Sequence, residues 1–147
     1  MKKYINKRAK YNYKILGKRE AGISLKGTEV KSIREGKIDF TNSFIHIKKE
    51  EVFLCNLYIS PYFSSSELNY DPKRERKLLL HRKEIRSLVA KLTQKGLTLI
   101  PLSIYFKKGK IKIEIALAKG KKLYDKRREL EEKSIEKETR RVLKLSR

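Results

Sequence analysis

Two neighbouring stretches of the chain alternate between apolar and polar side chains, and this alternation restricts the fold more than any other sequence feature. Every second residue is apolar in both stretches: Ile100, Leu102, Ile104 and Phe106, then Ile111, Ile113, Ile115 and Leu117. The positions between those of the second stretch hold Lys110, Lys112, Glu114 and Ala116. A period of two predicts antiparallel strands with one face in a core and the other in water. The polar residues 107–110 predict a hairpin turn, and Pro101 predicts an irregular start to the first strand.

Shorter patterns fill the rest of the chain. Strands are predicted at residues 11–16, 20–25 and 78–80, and a hairpin joins 44–47 to 52–54, with an extension over 57–59. Helices are predicted at residues 28–35 and from residue 82 to a stop at Gly96. Residues 1–10 have no clear period and are predicted to form a mobile arm. Together these elements predict an α+β domain built on a small antiparallel β-barrel, closed or partly closed, with flanking helices.

Each predicted helix has an apolar side. In the second helix the apolar positions follow a spacing of three and four: Ile85, Leu88, Val89 and Leu92. In the first helix Val30 and Ile33 share one side, while Glu29, Lys31 and Arg34 are predicted to point away from it.

The chain divides into a body at residues 1–118 and a basic tail at residues 119–147. The tail contains twelve Lys or Arg and six Asp or Glu residues, and it has no proline or glycine after residue 122. Its apolar residues are too sparse to stabilise an isolated helix in water. We therefore expect the tail to be disordered in the free protein and to become helical where RNA phosphates offset its charge on the ribosome.

The formal net charge of +22 indicates a polyanionic partner, because binding to nucleic acid releases condensed counterions. No apolar run approaches the roughly 20 residues that span a bilayer. The first residues also lack the apolar segment of a signal peptide. These features predict a cytoplasmic protein that does not bind membranes.

The sequence offers no support for enzyme or metal chemistry. Cys55 is the only cysteine, and with His46 and His81 it does not make a structural zinc site. We interpret Cys55 as a small buried hydrophobic residue. Gly-rich phosphate loops and the HExxH and GxSxG motifs are absent. We expect no cofactor, no metal and no catalytic residue.

Several stretches of the chain resemble the small protein B family, the bacterial SsrA-binding proteins of trans-translation. In order they are NKRA (6–9), EAGI (20–23), GTEVKSIREGK (27–37), DPKRERKLLL (71–80), KGLTLIPL (95–102), ALAKGKK (116–122) and YDKR (124–127). Each stretch alone is a weak signal, but the whole set in the family's order is highly specific.

The resemblance implies an oligonucleotide-binding barrel and a non-enzymatic adaptor for ribosome rescue. Such an adaptor binds the tRNA-like domain of transfer-messenger RNA (tmRNA) and delivers it to stalled ribosomes. Its tail enters the decoding centre and the empty mRNA channel, and a degradation tag is then added to the incomplete protein. The resemblance also implies contacts, made through the RNA, with elongation factor Tu and alanyl-tRNA synthetase.

The family's RNA-binding positions fall on Glu20, Leu79 and Lys112. Lys112 is suited to a phosphate contact, and Glu20 to accepting hydrogen bonds from a base edge or a 2′-hydroxyl. For Glu20 the alternative is an ion pair that orders a loop, and for Leu79 it is a place in the core. Further RNA-binding residues are placed at Lys7 and Arg8, and at Lys31 and Arg34, for which the alternative is a solvated helix face.

In the tail, the matched residues imply a ribosome-binding segment: Lys119, Gly120, Lys121, Lys122, Tyr124, Asp125, Lys126 and Arg127. The lysines are suited to phosphate contacts, and Gly120 gives the backbone freedom to change direction. Tyr124 can stack on an exposed base. Some family members have histidine at that position, which argues against a titrating role and is compatible with stacking.

Two other classes of function compete with this one. A structural ribosomal protein would also be small, basic and tailed. An RNA-modifying or RNA-cleaving enzyme would need His46, His81, Glu20 and Asp125 in one pocket, and their scatter through the chain argues against it.

Overall fold

The computed structural model describes residues 2–62, 69–94, 96–121, 127, 128, 130–132, 134 and 135. The elements are, in chain order, β1 (Lys3–Ile5), α1 (Ala9–Asn12), β2 (Tyr13–Ile23), α2 (Gly27–Arg34), β3 (Ile38–Asp39), β4 (Phe44–Lys48), β5 (Glu51–Cys55), β6 (Tyr58–Ile59), β7 (Arg76–Leu79), α3 (Arg82–Leu92), β8 (Leu97–Lys107) and β9 (Lys110–Gly120). The fold is α+β, with a mostly antiparallel sheet and a few helices.

Seven strands form one curled antiparallel sheet in the order β1-β8-β9-β2-β7-β5-β4, and β3 pairs separately with β6. Strand β4 lies close to β8 across the curl, yet β5 is its neighbour in the sheet. The sheet is therefore open, and the predicted barrel is wrong in that respect. The physical reason lies at the outer edge of β8, where Ser103, Ile104 and Tyr105 already pair with β1.

The hairpin of β8 and β9 matches the prediction, and β9 lies at the centre of the sheet. Both neighbours of β9 carry a bulge of one extra residue, Leu16 in β2 and Leu102 in β8. Each bulge exchanges the two faces of its strand. Consequently Ile100 and Leu102 face one side of the sheet and Ile104 the other, whereas strict alternation had placed all of them together.

Two cores result from these bulges. The larger lies inside the curl, and its fully buried members include Ile33, Leu54, Ile104, Ile113 and Ile115. The smaller lies on the opposite face of the sheet, where α1 covers one end, and consists of Ala9, Ile100, Leu102, Ala116 and Ala118. Ala116 was predicted to face water and is buried because α1 covers it. The other end of that face, around Lys112, is not covered by α1.

The N-terminal residues are ordered rather than a mobile arm. β1 pairs with β8, and Tyr4 packs against the larger core. Asn6 donates hydrogen bonds from its backbone N–H to the Leu102 carbonyl and from its side chain to the Pro101 carbonyl. The predicted strands at 11–16 and 20–25 merge into one strand, β2, which passes Gly17 without a turn. Residues 11 and 12 belong to α1, and residues 24 and 25 lie beyond the end of β2.

Both predicted helices are present. α2 begins one residue before Thr28, and Gly36 follows it with a φ of 75°. In α3, Ile85 and Leu88 are buried as predicted, but Val89 is 42% exposed. The hairpin of β4 and β5 is confirmed, with Lys49 and Glu50 in left-handed conformation at its turn.

Two shorter strands differ in detail from the predictions. The strand predicted at 78–80 is β7, which begins earlier, at Arg76. Residues 57–59 do not extend β5, since β6 pairs with β3.

β9 continues to Gly120, so Lys119 and Gly120 of the predicted tail are in the sheet, paired with Lys14 and Tyr13. The described residues beyond Lys121 (127, 128, 130–132, 134 and 135) are helical. Within them Arg128 forms an exposed ion pair with Glu132 at 3.5 Å.

Candidate nucleic-acid interface

The structure brings Glu20, Leu79 and Lys112 together on the outer face of the sheet. Antiparallel pairing sets Lys112 of β9 beside Gly22 of β2, and Gly22 beside Leu79 of β7. Glu20 lies two residues from Gly22 and so shares its face. Residues from three strands, distant in sequence, thus line one groove.

Gly22 permits the close approach of Leu79 to β2. A Cβ atom at position 22 would lie 3.2 Å from the Leu79 Cβ. Leu79 itself is 55% exposed, which rules out the core role considered for it. An exposed leucine offers apolar surface on which a base or a sugar can pack.

We call this depression the Glu20 groove; its volume is about 570 Å³. Its lining residues come from β2, β5, β7, α3 and β9. They are Glu20, Ala21, Gly22, Lys49, Glu50, Glu51, Val52, Lys77, Leu78, Leu79, Leu80, His81, Arg82, Glu84, Ile85 and Lys112. The groove combines four Lys or Arg residues, an apolar ledge and four Glu residues. Cations can contact RNA phosphates, and carboxylates can accept hydrogen bonds from bases and 2′-hydroxyls.

The Glu20 carboxylate is held by two side chains at the end of β8. The Tyr105 hydroxyl donates a hydrogen bond to Oε2, and Lys107 Nζ lies 3.3 Å from both carboxylate oxygens. The Tyr105 hydrogen bond is the main reason that the pKa of Glu20 lies below its ordinary value, and Lys107 and Lys112 act in the same direction. Burial raises the pKa of Tyr105, and the bond to Glu20 raises it further. Glu20 is therefore an anion held in a fixed orientation at the mouth of the groove.

Lys7 and Arg8 lie in the connection from β1 to α1, beside a separate groove of about 410 Å³. Asp39 and Tyr13 also line this second groove. Thr41 donates to Asp39 from its hydroxyl and its backbone N–H, and these bonds are the main reason that the pKa of Asp39 is lowered. The structure does not bring Lys7 and Arg8 into the Glu20 groove.

Lys31 and Arg34 are on α2, and each lies over an aromatic ring. Lys31 Nζ is 5.2 Å from the centroid of Tyr62, and the Arg34 guanidinium carbon is 5.7 Å from that of Phe106. Both side chains are exposed. Neither residue lines the Glu20 groove.

Glu29, the third charge of α2, does not point into solvent as predicted, since it is 1% exposed. Arg76, which is 0% exposed, donates to it through Nε at 2.8 Å, and Arg74 and the Tyr70 hydroxyl also donate. Burial alone would raise the pKa of Glu29, but the hydrogen bonds from Arg74, from the Lys26 backbone N–H and from Arg76 lower it. Burial and the nearby Glu29 carboxylate raise the pKa of Tyr70 to about 12. This cluster ties α2 to the segment before β7, and sequence periodicity gives no sign of it.

The tail residues are placed only in part. Lys119 and Gly120 end β9, and Lys121 donates from its backbone to the Asn12 carbonyl and from Nζ to the Lys10 carbonyl. Arg127 is exposed and helical. Lys122, Tyr124, Asp125 and Lys126 lie outside the described residues, as does most of the serine-containing loop at 63–70.

Sequence reasoning missed Tyr105 and Lys107 as partners of Glu20, and Lys3 as a neighbour of Tyr105. Lys3 Nζ lies 5.6 Å from the centroid of the Tyr105 ring. The alternation of β8 already contained a signal, because Tyr105 lies between Ile104 and Phe106 and therefore faces away from the core. The pairing of Tyr105 with Lys112 joins β8 to β9, so the sequence of β8 alone could not predict it.

Other kinds of site are not apparent in the described part of the chain. Its His, Cys, Asp and Glu residues form no group of three or more able to hold a metal ion. Cys55 is half-buried rather than buried, and burial raises the pKa of its thiol. None of the described helices has the length and apolar character needed to cross a bilayer.

Comparisons with known proteins identify a family. The family model described as "SmpB protein" matches residues 3–145. The chain is 55% identical to the SsrA-binding protein of Aquifex aeolicus, covering 95% of this chain and 89% of that protein. It is 52% identical to the SsrA-binding protein of Halothermothrix orenii, with coverages of 95% and 90%. For that of Thermus thermophilus the identity is 55%, with coverages of 88% and 91%.

A solved structure described as "tmRNA-SmpB: a journey to the center of the bacterial ribosome" is similar at a TM-score of 0.69. Its chain is 55% identical in sequence, and the match covers 82% of this chain and 85% of that one. The sequence and structural comparisons therefore point to the same family. The chain belongs to the SmpB family of SsrA-binding proteins.

Proposed function

We propose that this protein is a non-enzymatic adaptor that binds the tRNA-like domain of tmRNA and delivers it to stalled ribosomes for trans-translation. The observation that carries the proposal is the convergence of Glu20, Leu79 and Lys112 on one groove of a strongly basic body. The relatives named as SsrA-binding proteins, and the solved structure whose description pairs tmRNA with SmpB in the ribosome, support the choice of RNA.

The two parts of the chain have different roles in this proposal. The body binds the RNA through the Glu20 groove, and Lys7, Arg8, Lys31 and Arg34 add cations on other faces. The residues from Lys119 to Arg127 and the rest of the tail contact ribosomal RNA at the decoding centre and in the mRNA channel. Elongation factor Tu and alanyl-tRNA synthetase approach the complex through the RNA. All of these partners place the protein in the cytoplasm.

The test is competitive binding between the tRNA-like domain and random RNA of equal length at fixed salt. We expect a clear preference for the tRNA-like domain, and we expect affinity to fall steeply with added salt because phosphate contacts release counterions. Lys112→Ala should weaken binding, and Glu20→Ala should weaken it further. Lys91→Ala is the matched control, since it removes one positive charge from α3 outside the groove.

Equal affinity for both RNAs would overturn the proposal. Sequencing of the RNA that copurifies with the protein distinguishes the second candidate, a structural ribosomal protein. An adaptor should carry one discrete structured RNA, whereas a ribosomal component should carry ribosomal RNA at constant stoichiometry.

A further inference from the structure

Glu20 presents an electrostatic difficulty on a surface that binds RNA. A carboxylate repels phosphates, and Glu20 faces a second carboxylate, Glu114, directly across the strand pair of β2 and β9. Its side chain is 38% exposed, so water also competes for its oxygens. Left unrestrained, it would sample several rotamers and accept a hydrogen bond from RNA only at an entropic cost.

Tyr105 and Lys107 restrain the Glu20 carboxylate and offset its charge. The Tyr105 hydroxyl donates to Oε2, and Lys107 Nζ sits 3.3 Å from both oxygens. A carboxylate has about four acceptor positions. These contacts leave acceptor capacity on Glu20, which also lines the groove.

The Tyr105 ring is itself fixed. It is only partly exposed, and backbone pairing places it between Lys3 of β1 and Lys112 of β9. The Lys3 ammonium lies 5.6 Å from the ring centroid, a cation–π arrangement. Because the ring is held by its strand and by Lys3, its hydroxyl is a preorganised donor rather than a mobile one.

We propose that Tyr105 is a positioning residue for RNA recognition: its hydroxyl orients the Glu20 carboxylate so that the free acceptor positions meet an N–H or 2′-hydroxyl donor of the RNA. This inference rests on the proposed function and names a residue that acts through Glu20. Lys107 assists by neutralising the carboxylate, which reduces its repulsion of neighbouring phosphates.

The experiment compares Tyr105→Phe, Glu20→Gln and the double variant in binding to a transcript of the tRNA-like domain of tmRNA. Tyr105→Phe keeps the ring and its Lys3 contact and removes only the hydroxyl. We expect Tyr105→Phe to weaken binding by about five- to tenfold, because a Glu20 side chain without its fixed orientation must be ordered when RNA binds. The double variant should bind no more weakly than Glu20→Gln alone, because Tyr105 acts only through Glu20.

Two further measurements separate positioning from a general structural role. The side-chain carboxyl of Glu20, followed by NMR during an acid titration, should have a higher pKa in Tyr105→Phe than in the wild type, since the hydrogen bond favours the ionised form. The thermal unfolding temperature should fall by no more than a few degrees, because the folded protein loses one partly exposed hydrogen bond and the fold is otherwise kept. The matched control is Tyr58→Phe, which changes a partly exposed tyrosine of β6 that does not line the groove. It should alter neither the pKa of Glu20 nor the thermal unfolding temperature.

The outcomes distinguish this inference from the proposed function. If the wild type prefers the tRNA-like RNA and Glu20→Gln binds weakly while Tyr105→Phe binds normally, the inference is wrong and the function stands. Losses that multiply in the double variant would also overturn it, because Tyr105 would then contact RNA independently. No effect of Glu20→Gln would likewise refute it, and a wild type without preference would refute both proposals.

Discussion

Glu29 shows how much can depend on one charged residue placed inside a basic protein. Its carboxylate is the acceptor for two arginines, of which Arg76 is fully buried, and for the Tyr70 hydroxyl. Arg76 also donates to the carbonyls of Leu57 and Pro72. Among the ion pairs of the described residues, Glu29 is the partner of the buried Arg76 guanidinium.

We expect Glu29→Ala to lower the free energy of unfolding by about 3–5 kcal/mol, because it leaves the charge of Arg76 buried and uncompensated. Urea denaturation measures this change. Glu35→Ala, at an exposed carboxylate one turn and a half further along, is the control and should change the stability by less than about 0.5 kcal/mol. Similar curves for the two variants would contradict the structural role of Glu29.

Glu29 also predicts how stability responds to acid. Its pKa in the folded protein lies below the ordinary value of 4.5, so its contribution is present above about pH 4.5 and is lost as the pH falls through the folded-state pKa. We therefore expect the wild type to lose stability below pH 4.5 more steeply than Glu29→Gln, which cannot take up that proton. Urea midpoints measured between pH 3 and 7 check this, and parallel curves for the two proteins would contradict it.

Among the elements, β1 was not predicted from the sequence, because residues 1–10 have no clear apolar period. It supplies the edge partner of β8 and the packing of Tyr4 against the larger core. Removal of residues 1–5 should therefore destabilise the protein by about 2–3 kcal/mol, the burial energy of a large side chain. Hydrogen exchange should become faster at the Ile104 amide, which faces β1, with the hairpin of β4 and β5 unchanged as the internal control. Unaltered exchange in β8 would mean that β1 is dispensable.

The close contact between β2 and β7 at the Glu20 groove is possible because residue 22 is a glycine, which has no side chain. We expect Gly22→Val to push Leu79 away, to cost about 1–3 kcal/mol of stability through overpacking, and to weaken RNA binding. Gly17→Val is the matched control in the same strand, because a Cβ there meets nothing within 4 Å. Urea denaturation and the RNA competition assay report the two effects. Equal behaviour of both variants would show that the close approach is unimportant.

At this scale the sequence predicted what depends on local periodicity. Both hairpins and both long helices were found, since their apolar spacing differs clearly between periods of two and of three to four. The bulge at Leu102 directly follows Pro101, where an irregular start was predicted. The bulge at Leu16 could not be found, because one extra residue leaves no compositional trace but exchanges the faces of the strand. The predicted barrel failed for a related reason: the pairing of β1 with β8 is a long-range contact.

The candidate site was predictable in a different way. Glu20, Leu79 and Lys112 came from the family resemblance, and the structure supplied what the resemblance lacked, their juxtaposition through Gly22. Glu29 was misjudged because a charge on a short helix is usually solvated. Its burial depends on Arg76, more than forty residues away in sequence.

For the whole molecule, binding and tagging should be separable. A chain that ends at Lys121 keeps all of β9 and should bind the tRNA-like RNA with the affinity of the full protein, within about threefold. It should nevertheless fail to tag stalled products in a reconstituted translation reaction, because the ribosome-binding segment is absent. The full-length chain is the control for tagging. Normal tagging by the shortened chain would refute the division of labour between body and tail.

The regularity of β9 has a mechanical consequence. Both neighbours are bulged but β9 is not, so Lys112 and Gly120 are separated by eight regular strand steps, which span about 26 Å at the usual rise of a strand. β9 therefore fixes the distance between the groove at Lys112 and the point at Gly120 where the chain leaves the sheet. Lengthening it by a single residue would shift that exit by about 3.3 Å and turn it to the opposite side of the sheet, whereas two residues would lengthen the reach and preserve the direction.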